Sequence, residues 1–313
     1  MNLYEINQND KSHNNVDIVP LVSIVIATYR RDSSLEKALM SLINQSYEFI
    51  EIIVVDDNAA EIWNQKVAKI ISNIRMHSKK EIIYIKNEVN KGSAKTRNVG
   101  IVAALGEYIT FLDDDDIYLP DKIKNQVEHI IEQDSDFSIT DLCLYDENEN
   151  LIEVRKRNYI KKTTKNDLLR YHLMYHMTGT DTMMFKKDYL LNLGGFPPID
   201  VGDEFYLMQK AIENGGKLSY LPRCDIKAYV HTITDGLSSG DSKINGENQL
   251  YQYKRAYFNS LTKTDIRYIK ARHFAVLAFA EIRRKNMIGF LKYGLCSFLS
   301  GPISCVKVIR NMR

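Results

Sequence analysis

Short hydrophobic runs alternate with amphipathic stretches through the first 120 residues of the chain. Four runs rich in β-branched side chains predict buried strands at residues 21–28, 49–55, 81–86 and 107–112. Three stretches with apolar side chains at helical spacing predict helices at residues 35–45, 62–74 and 93–105. Strands separated by helices of this length predict βαβ units and a single, mostly parallel sheet flanked by helices, an α/β fold.

The alternation loosens after residue 120. Helices are predicted at residues 121–133 and 203–214, with strands at 137–145 and 151–155 and an apolar segment at 182–185 between them. From about residue 248 the pattern predicts consecutive helices to the end of the chain, which form a C-terminal helical extension.

Polar side chains follow three of the predicted strands. Thr28 and Tyr29 end the first strand, Asp57 follows the second, and the aspartates at 113–116 follow the fourth. Ligands bind at the carboxyl ends of parallel strands, so these side chains predict a site at one edge of the sheet.

The four consecutive aspartates are the strongest chemical signal. Adjacent carboxylates repel one another, and a hard divalent cation such as Mg²⁺ or Mn²⁺ relieves that repulsion while binding phosphate oxygens. The alternative is a solvated acidic turn before the helix at 121–133.

Four further residues each allow two interpretations. Asp57 can bind a nucleobase or ribose, or cap the helix near residue 60; Arg97, one turn into its helix, can bind a phosphate or be solvated. Asp203 can act as a general base or cap the helix that it begins. His231 can be a metal or phosphate ligand, or structural.

Composition excludes several classes of protein. The chain has 313 residues, 44% of them hydrophobic, and a net charge of +2, which gives no overall electrostatic case for nucleic acid. It lacks the G-x-G-x-x-G, P-loop and G-x-S-x-G motifs of dehydrogenases, P-loop nucleotidases and serine hydrolases.

Its four cysteines have no zinc-ligand spacing, which suits a reducing compartment. The polar N-terminus lacks the features of a secretory signal.

Taken in order, several segments resemble the inverting family 2 glycosyltransferases of the GT-A fold. They are SIVIATYRR (23–31), IIVVDDNA (52–59), NKGSAKTRNVG (90–100), GEYITFLDDDDIYLPDKI (106–123), LGGFP (193–197), GDEFYL (202–207) and His231. The polar N-terminus predicts a disordered leader at 1–19, the resemblance implies a catalytic domain at 20–245, and the helical pattern predicts a helical tail at 246–313. Within the catalytic domain the resemblance implies a nucleotide-binding half at 20–120 and an acceptor half at 121–245.

The resemblance also implies roles for individual residues. Thr28, Tyr29 and Asp57 would contact the nucleoside, Arg97 the diphosphate, and Asp113 and Asp114 the ribose or sugar. Asp115 would be the surest metal ligand, with Asp116 less certain and His231 assisting. Asp203, or Glu204 beside it, would deprotonate the acceptor.

The implied reaction moves a sugar from a nucleoside-diphosphate sugar, by default a UDP-sugar, with inversion and with Mn²⁺ or Mg²⁺. The acceptor would be a saccharide or lipid-linked saccharide, in bacterial capsule, O-antigen or other polysaccharide synthesis in the cytoplasm.

The C-terminal 32 residues carry seven basic side chains and no acidic one. Lys292, Pro302 and three glycines interrupt the apolar pattern, which argues against a membrane-spanning helix. Two interpretations stay open: a basic, apolar helix lying in a membrane interface, or a helix pair packed on the catalytic domain.

Two other functions compete with the transferase. A sugar-nucleotide pyrophosphorylase shares nucleotide-binding α/β architecture but would need a glycine-rich loop after the first strand, where this chain has ATYRRDSS. A non-catalytic nucleotide-sugar-binding scaffold at a membrane would not need intact Asp115 and Asp203.

Overall fold

The computed structural model describes residues 19–199, 201–230 and 240–311. Its first part alternates strands and helices as the hydrophobic pattern predicts. The elements are β1 (Val22–Thr28), α1 (Ser33–Ile43), β2 (Ile50–Asp56), α2 (Glu61–Arg75), β3 (Glu81–Lys86), α3 (Ser93–Ala103) and β4 (Tyr108–Phe111).

The elements of the second part are shorter and less regular. They are β5 (Ile117–Tyr118), α4 (Lys122–Glu132), β6 (Phe137–Thr140), β7 (Leu142–Tyr145), β8 (Leu151–Arg155), α5 (Lys165–Tyr175), β9 (Met183–Lys186), α6 (Lys187–Leu193), α7 (Asp203–Glu213), β10 (Leu218–Leu221) and β11 (Ile226–Tyr229). Four helices follow: α8 (Gly240–Arg255), α9 (Lys263–Arg283), α10 (Met287–Ser300) and α11 (Pro302–Asn311).

The large sheet has seven strands in the order β10-β6-β9-β4-β1-β2-β3. All its neighbours pair in parallel except β9, which is antiparallel to both β4 and β6. The predicted mostly parallel sheet is therefore confirmed. Thr28 pairs with Asp56, so β1 and β2 end at the same level.

Both faces of this sheet are buried, which explains why β2 is apolar almost throughout. Ile52 and Val54 belong to the core beneath α1, α2 and α4, while Ile53 and Val55 belong to the core beneath α3, α6 and α7. This alternation follows from the two-residue period of a strand.

The sequence did not predict a second sheet, which has the order β5-β11-β7-β8. The run at 137–145, expected to be one strand, is two strands in different sheets. Asp141 lies at the break, where its Oδ1 accepts hydrogen bonds from the Arg157 backbone N–H at 2.9 Å and the Tyr220 hydroxyl at 2.7 Å. A disulfide joins Cys143 to Cys224, a bond that the expectation of reduced cysteines did not include.

The C-terminal helices are confirmed as helices. A third core, which includes Leu173, Phe205, Leu250, Tyr268 and Val308, joins them to α5 and α7. Among the described residues, no helix combines the length and apolar character needed to cross a bilayer. Residues 1–18 of the predicted leader lie outside the described part of the chain.

Candidate active site

The loops after β1 and β4 meet the first turns of α3 and α7 at the carboxyl edge of the large sheet. The Tyr29 backbone N–H donates to Asp114 Oδ2 at 3.2 Å. On the other side of the site, Arg97 Nη1 lies 2.8 Å from Asp203 Oδ2. The structure thus brings together most of the side chains that the sequence analysis selected: Thr28, Tyr29, Arg97, Asp113, Asp114, Asp115 and Asp203.

Tyr29 and Arg30 form an exposed turn at the end of β1. Tyr29 is 44% exposed, and the Arg30 guanidinium carbon lies 5.1 Å from its ring centroid. Arg30 has φ 53°, a left-handed conformation that costs energy for a residue with a side chain and that is common at functional sites. The exposed ring is available to stack on a nucleobase.

Thr28 lies beneath this turn. Its Oγ1 is buried beside the Asp114 carboxylate, and this contact lowers the pKa of Asp114 against the larger effect of burial. Thr28 therefore connects the end of β1 to the acidic loop.

Arg31 holds the two middle aspartates of the acidic loop. Its Nη2 lies 2.8 Å from Asp115 Oδ2 and its Nε lies 3.6 Å from Asp114 Oδ1. Burial, and then the charge of Asp115, raises the pKa of Asp114 to about 7. The Asp115 carboxylate is in contact with Arg31 in this structure, and its role as a metal ligand stays a prediction.

A second set of carboxylates lies deeper in the loop. Asp113, Asp116 and Asp181 each offer one oxygen, and these oxygens lie within 4.8 Å of one another. Asp181 Oδ1 accepts from the Asp113 backbone N–H at 2.8 Å, and Asp116 Oδ1 accepts from the Tyr229 backbone N–H at 2.8 Å. Asp181 was not predicted from the sequence, where its only signal is its position just before the buried strand β9.

The carboxylates of this cluster disfavour one another's ionised form. Burial, followed by the charge of Asp113, raises the pKa of Asp181 to about 7. Burial and then Asp181 raise the pKa of Asp116 well above its usual value. A divalent cation can replace the protons that such a cluster would otherwise hold, and carboxylate oxygens are the ligands that Mg²⁺ and Mn²⁺ prefer. The residues present therefore fit a hard divalent cation.

Tyr118 and Lys122 are buried next to the acidic loop. The Tyr118 hydroxyl lies 2.5 Å from the backbone oxygen of Phe111 and 2.9 Å from that of Asp181. Lys122 Nζ donates to Thr110 Oγ1 at 2.8 Å and lies 3.9 Å from the Tyr118 ring centroid. Burial lowers the pKa of Lys122 well below its usual value, against the opposing charge of Asp181.

Arg97 connects the two sides of the site. Its Nη2 lies 2.7 Å from Asp113 Oδ1, and its Nη1 lies 2.8 Å from Asp203 Oδ2. Burial alone would lower the pKa of Arg97, but the carboxylates of Asp113 and Asp203 outweigh it, and the pKa is raised. The alternative of a solvated arginine is therefore wrong, because the side chain is buried and paired twice.

Asp203 begins α7, and the residue before it, Gly202, is the N-cap. Burial raises the pKa of Asp203 to about 7, with Arg97 opposing the shift and Glu204 adding to it. A carboxyl with a pKa near neutrality can accept a proton at physiological pH. Glu204 contacts His176, with 3.1 Å between Oε1 and Nε2, and its charge also acts on Arg97 and Asp203.

Asp57 is buried against the turn that precedes α3. Its Oδ1 accepts from the Lys91 backbone N–H at 2.8 Å and from Asn87 Nδ2 at 2.8 Å, and its Oδ2 accepts from the Gly92 backbone N–H at 2.9 Å. It does not cap α2, whose N-cap is Ala60 without a side-chain hydrogen bond. Asp57 therefore orders the loop that leads to Arg97, and its contact with a nucleoside stays a prediction.

His231 lies outside the described residues, so the structure does not test its predicted role.

Comparison with known proteins identifies the family to which the chain belongs. The model of glycosyl transferase family 2 matches residues 23–190, more than half of the chain. The chain belongs to glycosyl transferase family 2. The match contains β1–β4, the acidic loop, Arg97 and Asp181, but not Asp203.

Two relatives show the range of similarity within the family. An uncharacterized glycosyltransferase of Methanocaldococcus jannaschii is 34% identical over 177 residues, which cover 56% of this chain and 58% of the relative. The UDP-Glc:alpha-D-GlcNAc-diphosphoundecaprenol beta-1,3-glucosyltransferase WfaP of Escherichia coli is 39% identical over 118 residues, 37% of this chain and 43% of WfaP. The chain thus spans about half the length of these curated relatives.

The fold of this family 2 member is that of a solved GT-A glycosyltransferase. Residues 1–349 of TarS from S. aureus, in complex with UDP-GlcNAc, match with a TM-score of 0.59 and 18% identity. The match covers 89% of this chain and 91% of the TarS chain. The predicted GT-A fold is confirmed.

Proposed function

We propose that this family 2 glycosyltransferase moves a sugar from a UDP-sugar to a saccharide or lipid-linked saccharide, with inversion, in cell-surface polysaccharide synthesis. One observation carries the proposal: Arg97 bonds both Asp113 of the acidic loop and Asp203 at the start of α7. A single guanidinium thus connects a carboxylate cluster that could hold a metal ion to a candidate base.

The choice of substrates rests on the relatives. WfaP by its name uses a UDP-sugar and a diphosphoundecaprenol-linked acceptor, and the TarS structure holds UDP-GlcNAc. We extend a UDP-sugar and a lipid-linked acceptor to this chain on that support. A lipid-linked acceptor would place the reaction at the cytoplasmic face of a membrane.

The acidic loop would hold a divalent cation. Asp113, Asp116 and Asp181 have the geometry for it, and Asp115 is the ligand that the family resemblance implies. When bound, Mn²⁺ or Mg²⁺ would supply positive charge for the diphosphate leaving group. Tyr29 would stack on the base, and Arg97 would favour negative charge on the diphosphate side.

Asp203 would remove the proton from the acceptor hydroxyl. Its Oδ2 bonds Arg97 and its Oδ1 accepts from the Glu204 backbone N–H at 3.0 Å, which leaves acceptor positions on both oxygens. As the proton passes to Asp203, the acceptor oxygen forms a bond to the anomeric carbon. The bond from that carbon to the diphosphate breaks on the opposite side, and the configuration inverts.

The test is release of UDP from a panel of UDP-sugars, with a diphosphate-lipid-linked N-acetylglucosamine as acceptor. We expect transfer with Mn²⁺ or Mg²⁺ and none after chelation, and NMR of the product should show the opposite anomeric configuration. Transfer that survives chelation would remove the metal from the proposal, and a retained configuration would remove the single displacement.

A second measurement separates binding from catalysis. Calorimetry with UDP and Mn²⁺ should detect binding to the wild type and none to Asp115→Ala or Asp181→Ala. Glu147→Ala is the control variant, because it removes an acidic side chain outside the site, on the turn between β7 and β8. Normal binding by Asp115→Ala would leave Asp113, Asp116 and Asp181 as the ligand set.

A further inference from the structure

Helix α10 packs in the opposite sense from most surface helices, whereas α11 buries Cys305 and Val308 in the usual way. The buried residues of α10 are Gly289 and Ser297, and Ser297 Oγ donates to the backbone oxygen of Ala271 on α9 at 2.8 Å. A surface helix normally turns its apolar stripe toward the core. On α10 the fully buried positions are small, Tyr293 stacks on Phe274 of α9, and several large apolar side chains are left exposed.

These outward residues form one surface, which we name the C-terminal apolar face. On α10 they recur at three- and four-residue intervals, the spacing of one helical face. Each is at least half exposed, and Ile288 is 82% exposed. The face consists of Ile288, Leu291, Leu295, Phe298, Leu299 and, on α11, Ile303.

The charges around this face are all of one sign. Arg283, Lys285, Lys292 and Lys307 are exposed, and no acidic residue occurs from residue 282 to the end of the chain. The nearest acid before them in sequence, Glu281, is buried, accepts from Asn286 Nδ2 at 2.8 Å and lies 3.7 Å from Arg284 Nη1. The surface therefore combines exposed apolar side chains with an excess of basic side chains.

We infer that the C-terminal apolar face is a docking surface for an anionic lipid bilayer. Helices with large apolar side chains on one face and basic side chains beside it lie in the interface of anionic membranes, with the apolar side chains in the acyl boundary.

A second copy of the chain is a poorer partner. In a two-fold dimer the same patch meets itself, so the arginines and lysines around the face would approach their own copies. Like charges brought together across an interface oppose association. A bilayer containing anionic lipid supplies the opposite charge along the whole face.

The inference goes beyond the proposed function and does not rest on it. Docking would hold the enzyme beside any acceptor that is anchored in the membrane. The surface lies on α10 and α11, and neither helix supplies a residue of the candidate active site. Vesicle binding can therefore be measured without sugar nucleotide or acceptor, and it can fail or succeed independently of catalysis.

The experiment is flotation of the full chain with two kinds of vesicle: phosphatidylcholine mixed with phosphatidylglycerol, and phosphatidylcholine alone. We expect the chain to float with the mixed vesicles, and the bound fraction to fall with rising salt, because salt screens exposed charges. Protein that stays unbound with the mixed vesicles at low salt would overturn the inference.

Variants then test the two components of the face. Leu291→Glu with Leu295→Glu should abolish flotation, whereas Ile62→Glu with Val102→Glu, at equally exposed apolar positions on α2 and α3, should leave it unchanged. Replacing Arg283, Lys292 and Lys307 by glutamine should weaken binding about fivefold for each charge.

Two results would contradict the membrane assignment. One is that the variant with Leu291→Glu and Leu295→Glu floats to the same extent as the wild type, while its circular dichroism and thermal transition also match those of the wild type. The other is a wild-type dimer in sedimentation without lipid that this variant converts to a monomer, which would make a second copy the partner.

Discussion

At the carboxyl edge of the large sheet, charged side chains are buried, whereas on α10 and α11 large apolar side chains are exposed. Arg97 and Asp203 are 9% and 4% exposed, against 82% for Ile288. Each arrangement costs free energy in the isolated protein, because charges lose their hydration and apolar surface stays in water. Both costs can be offset by a ligand of matching chemistry, a cation and diphosphate in one region and a lipid surface in the other.

Replacement of the candidate base, in the region of buried charges, should have the greatest effect on activity. Asp203→Asn should lower kcat by about 10² to 10⁴-fold, the usual contribution of a general base, while affinity for UDP and Mn²⁺ persists. Glu204→Gln is the comparison variant, because Glu204 contacts His176 and acts on Asp203 only as a neighbouring acid, so its loss should change the rate far less. If Glu204→Gln loses the activity and Asp203→Asn keeps it, the base is Glu204.

The buried ion pairs should also dominate stability. Arg97→Met leaves Asp113 and Asp203 without their shared cation, and breaking a buried pair costs about 3–5 kcal/mol of unfolding free energy. Lys66→Met removes a pair with Asp32 whose side chains are about half exposed, and should cost less than about 1 kcal/mol. Urea denaturation compares the two, and equal losses would contradict the assigned importance of Arg97.

The exposed ring of Tyr29 should contribute less. Tyr29→Ala removes the surface on which a base would stack, and stacking on an aromatic side chain is worth about 1–3 kcal/mol per base. We expect KM for the UDP-sugar to rise by about fivefold to 100-fold with little change in kcat. Tyr29→Phe should behave as the wild type. A wild-type KM for the alanine variant would place the base elsewhere.

The smallest effect is the pH dependence. Asp203 must be ionised to accept a proton, and its pKa is raised to about 7, so it is protonated and inactive at lower pH. The rate should therefore rise with pH and level off above about pH 7, with about tenfold less activity at about pH 6 than on the plateau. Rates measured at saturating metal would contradict this if they were flat across the range or fell as the pH rose.

The sequence predicted the N-terminal half of the fold more fully than the rest. Each of β1 to β4 has its own run of apolar residues, and a segment with helical spacing joins each of them to the next, so local patterns were sufficient to predict these elements. The position of β9 between β4 and β6 depends on contacts between distant segments, and no local pattern encodes it. For the same reason the break at Asp141 and the Cys143–Cys224 bond were missed.

The site shows the same division. The strand ends identified Tyr29 and the aspartates of the acidic loop, because carboxyl ends of parallel strands share an edge. Asp181 enters the cluster only through the 3₁₀ turn before β9. That Arg97 bridges Asp113 and Asp203 depends on how α3 and α7 pack, which spacing along the chain does not reveal.

The antiparallel position of β9 has a consequence for how the chain is made. β3, β2, β1 and β4 are adjacent in the sheet and are all synthesised before β9. Until Met183–Lys186 leaves the ribosome, β4 has an open edge whose backbone N–H and C=O groups have no strand to pair with. A nascent chain halted before β9 should show rapid hydrogen exchange along β4, and protection should appear once β9 has been added.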